Sequence, residues 1–270
     1  MYAPRPSAQG ELRSWHYVRM GRGAPTTRRR DEAQAARVRR GYFECRYGQL
    51  HVHNAMPPGG GFEEDTPLLC LHDVCDSAWV FTRFLAFAGQ DRSVYAPDLP
   101  GFGESDPPTA QPSIADYAAA LGDFLDSMRL RHFDVLGYRA GAVLATELAV
   151  ARPVQIGRVV MVSVPLLTEN ERQAAARVTP APGPDSAFRS PDWQRWGAEA
   201  AAQYPLRERL ARLRQRLLVL RPRDELWEAS ARVREAQPSA RLCDLEASGP
   251  ELFGTDPGRV AEAVREFLRG

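Results

Sequence analysis

The residues whose types and spacing could do chemistry lie in one stretch, Leu136-Gly-Tyr-Arg-Ala-Gly141. The apolar run from Phe133 to Leu136 reads as a buried strand, and a helix pattern extends from Ala140 to about Ala151. A strand that turns sharply into a helix, with a glycine on each side of the turn, has the shape of a nucleophile elbow. The flanking residues must be small because the two backbones nearly touch there. In a working elbow the middle residue is a serine, cysteine or aspartate, whereas here it is Arg139. A guanidinium stays protonated at ordinary pH and cannot act as a nucleophile. The stretch announces a fold and withholds the chemistry expected of it.

The elements that position this turn can be read along the chain. Gly41 to Arg46 and Gln49 to Asn54 alternate around Tyr47-Gly48, which predicts a hairpin. Pro67 to Leu71 is a short continuous apolar run, the mark of a strand buried on both faces. His72 to Ser77 is its loop, and Asp76 or Ser77 can cap a helix through Trp79, Phe81, Phe84 and Phe87. Ser93 to Pro97 is a strand, Asp98 to Asp106 its loop, and Ile114 to Leu130 an amphipathic helix. After the elbow come strands at Val159 to Val164, Leu217 to Leu220 and Leu242 to Leu245. Helices are expected at Glu225 to Gln237 and Gly258 to Leu268. Strands alternating with helices predict an α/β fold, a mostly parallel sheet covered by helices on both faces, here with an N-terminal antiparallel hairpin.

Residues 166–205 break the alternation. They carry a polar helix-like segment, a Pro-rich run and the aromatics Phe188, Trp193, Trp196 and Tyr204. An insertion at this point lies over the carboxyl ends of the strands, so we read it as a short cap over a pocket, with Trp193 and Trp196 as cap residues. An irregular connection packing its aromatics on the sheet is the competing reading.

The chain divides into a basic arm, residues 1–38, and a domain over residues 39–270. Residues 1–40 hold ten Arg against Glu11, Asp31 and Glu32, a net +7, while the remainder holds twenty-five Arg against thirty-one acids, a net −6. All 35 basic residues are Arg, which codon bias in a GC-rich genome accounts for. The arm reads as a disordered tail, with a short helix from Asp31 to Arg39 expected at its end. Contact with nucleic acid or an anionic surface, a transit peptide, and a start at Met20 are the other readings. At 44% hydrophobic and 26% charged residues the composition is that of an ordinary globular chain. No apolar run approaches bilayer length and no secretory leader is apparent, so the expectation is cytoplasmic. Cys45, Cys70, Cys75 and Cys243 lack metal spacing and read as thiols in a reducing compartment.

From about Arg40 to Leu268 the chain resembles the α/β-hydrolase fold superfamily, in its epoxide-hydrolase and esterase-like branch. The resemblance is carried by Leu71-His72, Asp98-Leu-Pro-Gly-Phe-Gly-Glu-Ser-Asp106, Leu136 to Gly141, Leu218 to Asp224 and Gly249 to Phe253. It implies a nucleophile, an acid and a histidine in that chain order. Carried over position by position, the nucleophile falls on Arg139, the acid on Asp224, which is kept, and the histidine on Pro250. The family's His-Gly pair at the oxyanion loop is His72-Asp73 here, which puts a carboxylate where a backbone donor should face a developing anion. Tyr138, Ala140 and Glu251 complete the region.

Of the five histidines, only His72 can be near the elbow, and it reads first as a structural loop residue. A displaced Cys75–His72 pair is the remoter option. Asp224 reads equally as an N-cap for the helix at Glu225. Arg139 needs a partner, because burying a lone guanidinium is costly. Asp224 is the first candidate, followed by Asp73, Asp76 and Glu251. Alternatively Arg139 binds an anionic ligand, such as a carboxylate, through a bidentate fork.

The leading reading is a non-hydrolytic, pocket-binding or regulatory pseudoenzyme. The alternative is an enzyme of unusual mechanism, of hydrolase, lyase or isomerase type, on a small organic substrate. A nucleic-acid contact through the arm is a third reading, and a weaker one. No metal and no organic cofactor is called for. A small organic ligand, no membrane, and a homodimer through an edge strand or the cap are the expectations for partners.

Overall fold

Continuous burial along the central strands, with side chains pointing alternately to the two faces, builds two hydrophobic layers, one on each side of a single sheet. The computed structural model describes residues 35–57, 59, 65–175, 191–245 and 251–270. Its strands are β1 (Val38–Cys45), β2 (Gly48–Ala55), β3 (Asp65–Leu71), β4 (Arg92–Pro97), β5 (Phe133–Tyr138), β6 (Ile156–Val162), β7 (Arg216–Pro222) and β8 (Arg241–Leu245). They form one sheet in the order β1-β2-β4-β3-β5-β6-β7-β8. β1 and β2 pair antiparallel, β2 pairs antiparallel with β4, and the remaining pairs are parallel. The parallel sheet with its antiparallel hairpin is the architecture the sequence predicts.

The two layers follow from side-chain alternation. Leu69 and Leu71 of β3 join Val135 on one face, with helices α2 (Ile114–Ser127) and α3 (Ala140–Ala151). Leu68 and Cys70 join Leu136 and Tyr138 on the other, with α1 (Thr82–Ala88), the short α9 (Leu252–Thr255) and α10 (Pro257–Arg269). Every residue from Ala140 to Ala149 is buried, so α3 has no solvent face. The chain runs from β3 to β4 on one side and returns to β5 on the other. The carboxyl ends of β3 and β5 are therefore the point where strand order reverses, where open α/β sheets place ligands.

Gly137 and Gly141 let β5 turn straight into α3. A Cβ at Gly137 would lie 2.3 Å from the Gly141 carbonyl oxygen, and one at Gly141 would lie 2.0 Å from that of Leu71. This is the close approach that the glycine spacing predicts.

Several boundaries differ from the sequence expectation. The predicted helix over residues 31–39 does not form where it is described. Residues 35–37 are irregular and Val38 opens β1, with the Ala36 amide donating to the Ala86 carbonyl. The hairpin turns at Arg46-Tyr47, with Gly48 already on β2. The helix expected from Glu225 to Gln237 is split into α7 (Trp227–Ala231) and α8 (Val233–Ala236). Ser77 does cap, as expected, but what it caps is a 3-10 turn over Ala78–Phe81 that precedes α1.

The insertion contains α4 (Glu169–Ala175) and α5 (Pro191–Gln203), followed by α6 (Leu206–Leu210). The middle of the segment, including Phe188, lies outside the described residues, as do residues 1–34 and with them most of the basic arm. Gly197 of α5 packs against Phe102 and Val74, and Trp193 packs against Gly101. A Cβ at Gly101, whose φ is +84°, would meet Trp193 at 3.2 Å. Thus α5 rests on the loops that leave β3 and β4. Tyr204 and Arg209 both donate to Glu147 of α3, at 2.6 Å each, fixing the far end of the insertion.

Candidate functional site

At the end of β5 the backbone of Arg139 adopts φ +53°, ψ −115°. This is a tight-turn conformation, here between strand and helix, and it is costly for any residue with a Cβ. The turn is fastened on both sides: the Arg139 amide donates to the Val162 carbonyl, and its carbonyl accepts from the Ala142 amide, each at 2.9 Å.

The guanidinium of Arg139 is largely covered, its side chain being 18% exposed, and every edge of it is engaged. Nε donates to the Tyr138 hydroxyl at 2.9 Å, one terminal nitrogen lies 2.5 Å from Glu225 Oε1, and the other lies 3.6 Å from Asp224 Oδ2. Burial disfavours its charge. The Glu225 carboxylate and Tyr138 more than offset this, so the guanidinium is held even more firmly protonated than usual. Glu225 is correspondingly held below the usual carboxylate range by its hydrogen bond to Arg139. Burial pushes the Tyr138 phenol up, despite the cation beside it.

Asp224 stands just past β7 with its side chain 2% exposed. Its Oδ1 accepts from the Leu226 amide at 2.9 Å, and its Oδ2 accepts from the Ser163 hydroxyl at 2.5 Å. The capping expectation for Asp224 is not met: the helix after it begins at Trp227 with Leu226 at the cap position and no side-chain cap bond, and Asp224 instead holds the turn that leads into it. Ser163 also has a φ of +53° and is fully buried.

The loop after β3 supplies the other wall. Asp73 is half-buried, and a single oxygen, Oδ1, accepts both the Val74 amide at 2.8 Å and the Ala140 amide at 3.2 Å. Burial pushes the Asp73 carboxyl above its ordinary range, with Arg139 and the two amides pulling the other way. His72 is fully buried and bound at both ring nitrogens. Nε2 accepts the Leu99 amide at 2.9 Å, which assigns the proton to Nδ1 for donation to the Asp73 carbonyl at 2.7 Å. His72 thereby ties the β3 loop to the β4 loop. That second loop is organised by Asp98, which accepts from the amides of Ala78 and Glu104 and pairs with His51 at 2.8 Å.

Of the residues singled out in the sequence, the structure brings Asp73, Tyr138, Arg139, Ala140 and Asp224 together, with His72 just behind them. Trp193 and Trp196 are half-buried on α5, and Trp193 packs on the β4 loop at Gly101. Glu251 is exposed, and the ion pairs of Arg139 among the described residues are with Asp224 and Glu225. Asp76 spends an oxygen on the Ser77 amide. Pro250 lies outside the described residues. Sequence reasoning missed Glu225, Ser163 and the Val74 amide. Adjacency to Asp224 was the available signal for Glu225. Position at the carboxyl end of β6 was the signal for Ser163. Among the described residues no group of three His, Cys, Asp or Glu side chains is placed to hold a metal ion.

Comparison with known proteins follows the same geometry. A model of the α/β hydrolase fold family matches residues 66–248. Among solved structures, naproxen esterase from Bacillus subtilis superposes with a TM-score of 0.66 at 19% identity, covering 88% of this chain and 94% of that one. The enol-lactonase from Burkholderia xenovorans superposes with a TM-score of 0.69 at 15% identity, covering 85% and 100%. At such identities the likeness is one of fold. An uncharacterized protein of Mycobacterium tuberculosis is 30% identical over 103 residues, 38% of this chain. The chain spans about 30% of the length of that relative.

Proposed function

Because the chain belongs to the α/β-hydrolase fold family, whose model matches residues 66–248, we propose that it is a non-hydrolytic member of that family, a pocket-binding or regulatory pseudoenzyme. The observation that carries this reading is the engagement of Arg139 at the elbow by Asp224 and Glu225. Hydrolysis on this fold needs a nucleophile at the elbow, an acid past a later strand and a histidine between them. Here the elbow holds a cation, and that cation reaches directly toward the acid, across the space a bridging imidazole would fill. Pro250 stands at the histidine's place in the sequence. His72 cannot take the role of base, because its Nε2 lone pair already accepts an amide hydrogen.

The ligand, on this reading, is a small organic molecule. An anionic one would have to compete with Glu225 and Asp224 for the guanidinium. The free thiols of Cys45, Cys70 and Cys243 support a reducing, cytoplasmic setting. No helix among the described residues is long and apolar enough to cross a membrane. A homodimer formed through a sheet edge would use β1 or β8.

One observation favours the alternative, an enzyme of unusual mechanism on a small organic substrate. Arg139 and Ser163 both hold a strained φ beside Asp224, and such strain clusters at working sites.

Hydrolysis of a panel of activated short-chain acyl esters and small epoxides separates the two. The wild type and Arg139→Ala are expected to be equally inert. Turnover by the wild type that Arg139→Ala abolishes would establish the alternative and end the pseudoenzyme reading.

A further inference from the structure

Two backbone amides from different segments converge on one carboxylate oxygen at the heart of this site. The Val74 amide comes from the loop after β3, and the Ala140 amide from the first residue of the twelve-residue helix α3. Backbone donors aimed at a single oxygen, one of them at a helix N-terminus, form a natural holder for an anionic oxygen. In the hydrolytic members of this fold, the residue after the nucleophile and the loop after this strand supply the donors for the oxyanion. Here the holder is filled from within the chain, by Asp73.

We propose that the amides of Val74 and Ala140 form a carboxylate-binding site that Asp73 keeps shut, and that the ligand of the pocket-binding reading is a small organic acid whose carboxylate takes the place of Asp73's. The proposal rests on that reading for its ligand, while the closed site stands on geometry alone.

The charge environment selects the ligand class. The charged groups facing Asp73 are Arg139, which attracts an anion, and Asp76, which repels one. Beyond Arg139 stand Asp224 and Glu225. One cation among these acids suits a singly charged carboxylate and opposes a doubly charged phosphate. Burial already strains the ionised form of Asp73. As pH falls, Asp73 therefore takes up its proton while an ordinary carboxylic acid in solution is still ionised. The plug loses its charge before the competitor does, so mildly acid pH favours exchange.

The first test uses the isotope-labelled full chain and follows the amide protons of Val74 and Ala140 from about pH 3 to about pH 8. Both are expected to shift downfield together, with one midpoint above the ordinary aspartate range, and Asp73→Asn is expected to abolish the titration. In the second, formate is titrated into the wild type and Asp73→Ala. Asp73→Ala is expected to bind it saturably, about tenfold or more tighter than the wild type at neutral pH, with a thermal midpoint that rises with formate and not with chloride. In the wild type, formate is expected to shift the same two amides at mildly acid pH.

Separate midpoints for the two amides, or none, would overturn the closed site, and this readout stands even if Asp73→Ala does not fold. A formate response no different from that to chloride in Asp73→Ala would overturn the binding claim. A wild type that ignores formate at acid pH would overturn the exchange. Ester turnover by the wild type would sink the pseudoenzyme reading and leave these outcomes readable.

Discussion

Arg139 and Ser163 end the neighbouring strands β5 and β6 with the same φ of +53°, and both reach Oδ2 of Asp224. For a residue with a Cβ, that backbone region costs about 1–2 kcal/mol. The site is therefore held by interactions strong enough to keep two strained residues in place. Ser163 lets the two contributions be separated. Ser163→Ala keeps the strain and loses a hydrogen bond to a carboxylate, a loss expected at about 1.5–3 kcal/mol. Ser163→Gly loses the same bond and regains about 1 kcal/mol from the relaxed backbone. Urea midpoints should rank wild type above Ser163→Gly above Ser163→Ala. A Ser163→Ala protein as stable as the wild type would show that the contact to Asp224 contributes nothing.

Arg139→Ala removes the cation from two unequal acids. The Glu225 side chain is 65% exposed and gains little from its partner, whereas that of Asp224 is 2% exposed. The loss is expected at about 2–3 kcal/mol, most of it from Asp224 left without a cation. Its pH dependence has a defined sign. Glu225 is held below its ordinary range in the folded protein by Arg139. The stability this supplies is full above the ordinary glutamate pKa and is lost as pH falls through the depressed folded value. The gap between wild type and Arg139→Ala should therefore narrow on acidification. A gap that widens as pH falls would contradict the assigned pair.

Gly141→Ala sets two local effects against each other. Alanine favours the helix by about 1 kcal/mol over glycine. The new Cβ, however, would sit 2.0 Å from the Leu71 carbonyl oxygen and 2.9 Å from that of His72, both backbone atoms of a central strand and its loop. Backbone cannot swing away as a side chain can, so the clash wins, with an expected loss of about 3 kcal/mol or more. Gly254→Ala is the matched control, since nothing lies within 4 Å of its Cβ position. Thermal unfolding of the two variants should show a large drop for the first and little change for the second.

The sheet and the elbow were legible because their signals are local. Continuous apolar runs marked the buried strands. The Gly137 and Gly141 pair marked the turn, because a backbone-to-backbone approach tolerates no Cβ. Asp224 could be foreseen as a partner for Arg139 from family order, whereas for Glu225 the sequence offered only its adjacency to Asp224. Its role depends on the helix starting late, at Trp227, which leaves Glu225 in the turn before it, beside the guanidinium. Ser163 was hidden because its part rests on a backbone angle, which a serine following a valine run does not advertise. The sequence placed a carboxylate at Asp73 facing the anion site. It could not show that one oxygen would take both amides, since that depends on the register of two segments sixty-seven positions apart.

The closed site predicts what it would take to build a hydrolase here. On the pseudoenzyme reading, Arg139→Ser with Pro250→His supplies a nucleophile and a histidine to a chain that has Asp224. Asp73 would still occupy the donors that a tetrahedral intermediate needs, and its charge would repel the developing oxyanion. Loss of one such donor alone costs about a hundredfold or more in turnover. The double variant is therefore expected to stay near the uncatalysed rate on activated acyl esters. Adding Asp73→Gly frees the amides of Val74 and Ala140 and is expected to raise turnover by at least about a hundredfold over the double variant. The comparison is made at equal folded fraction, monitored by circular dichroism. Equal rates for the double and triple variants would mean that Asp73 does not obstruct the anion site.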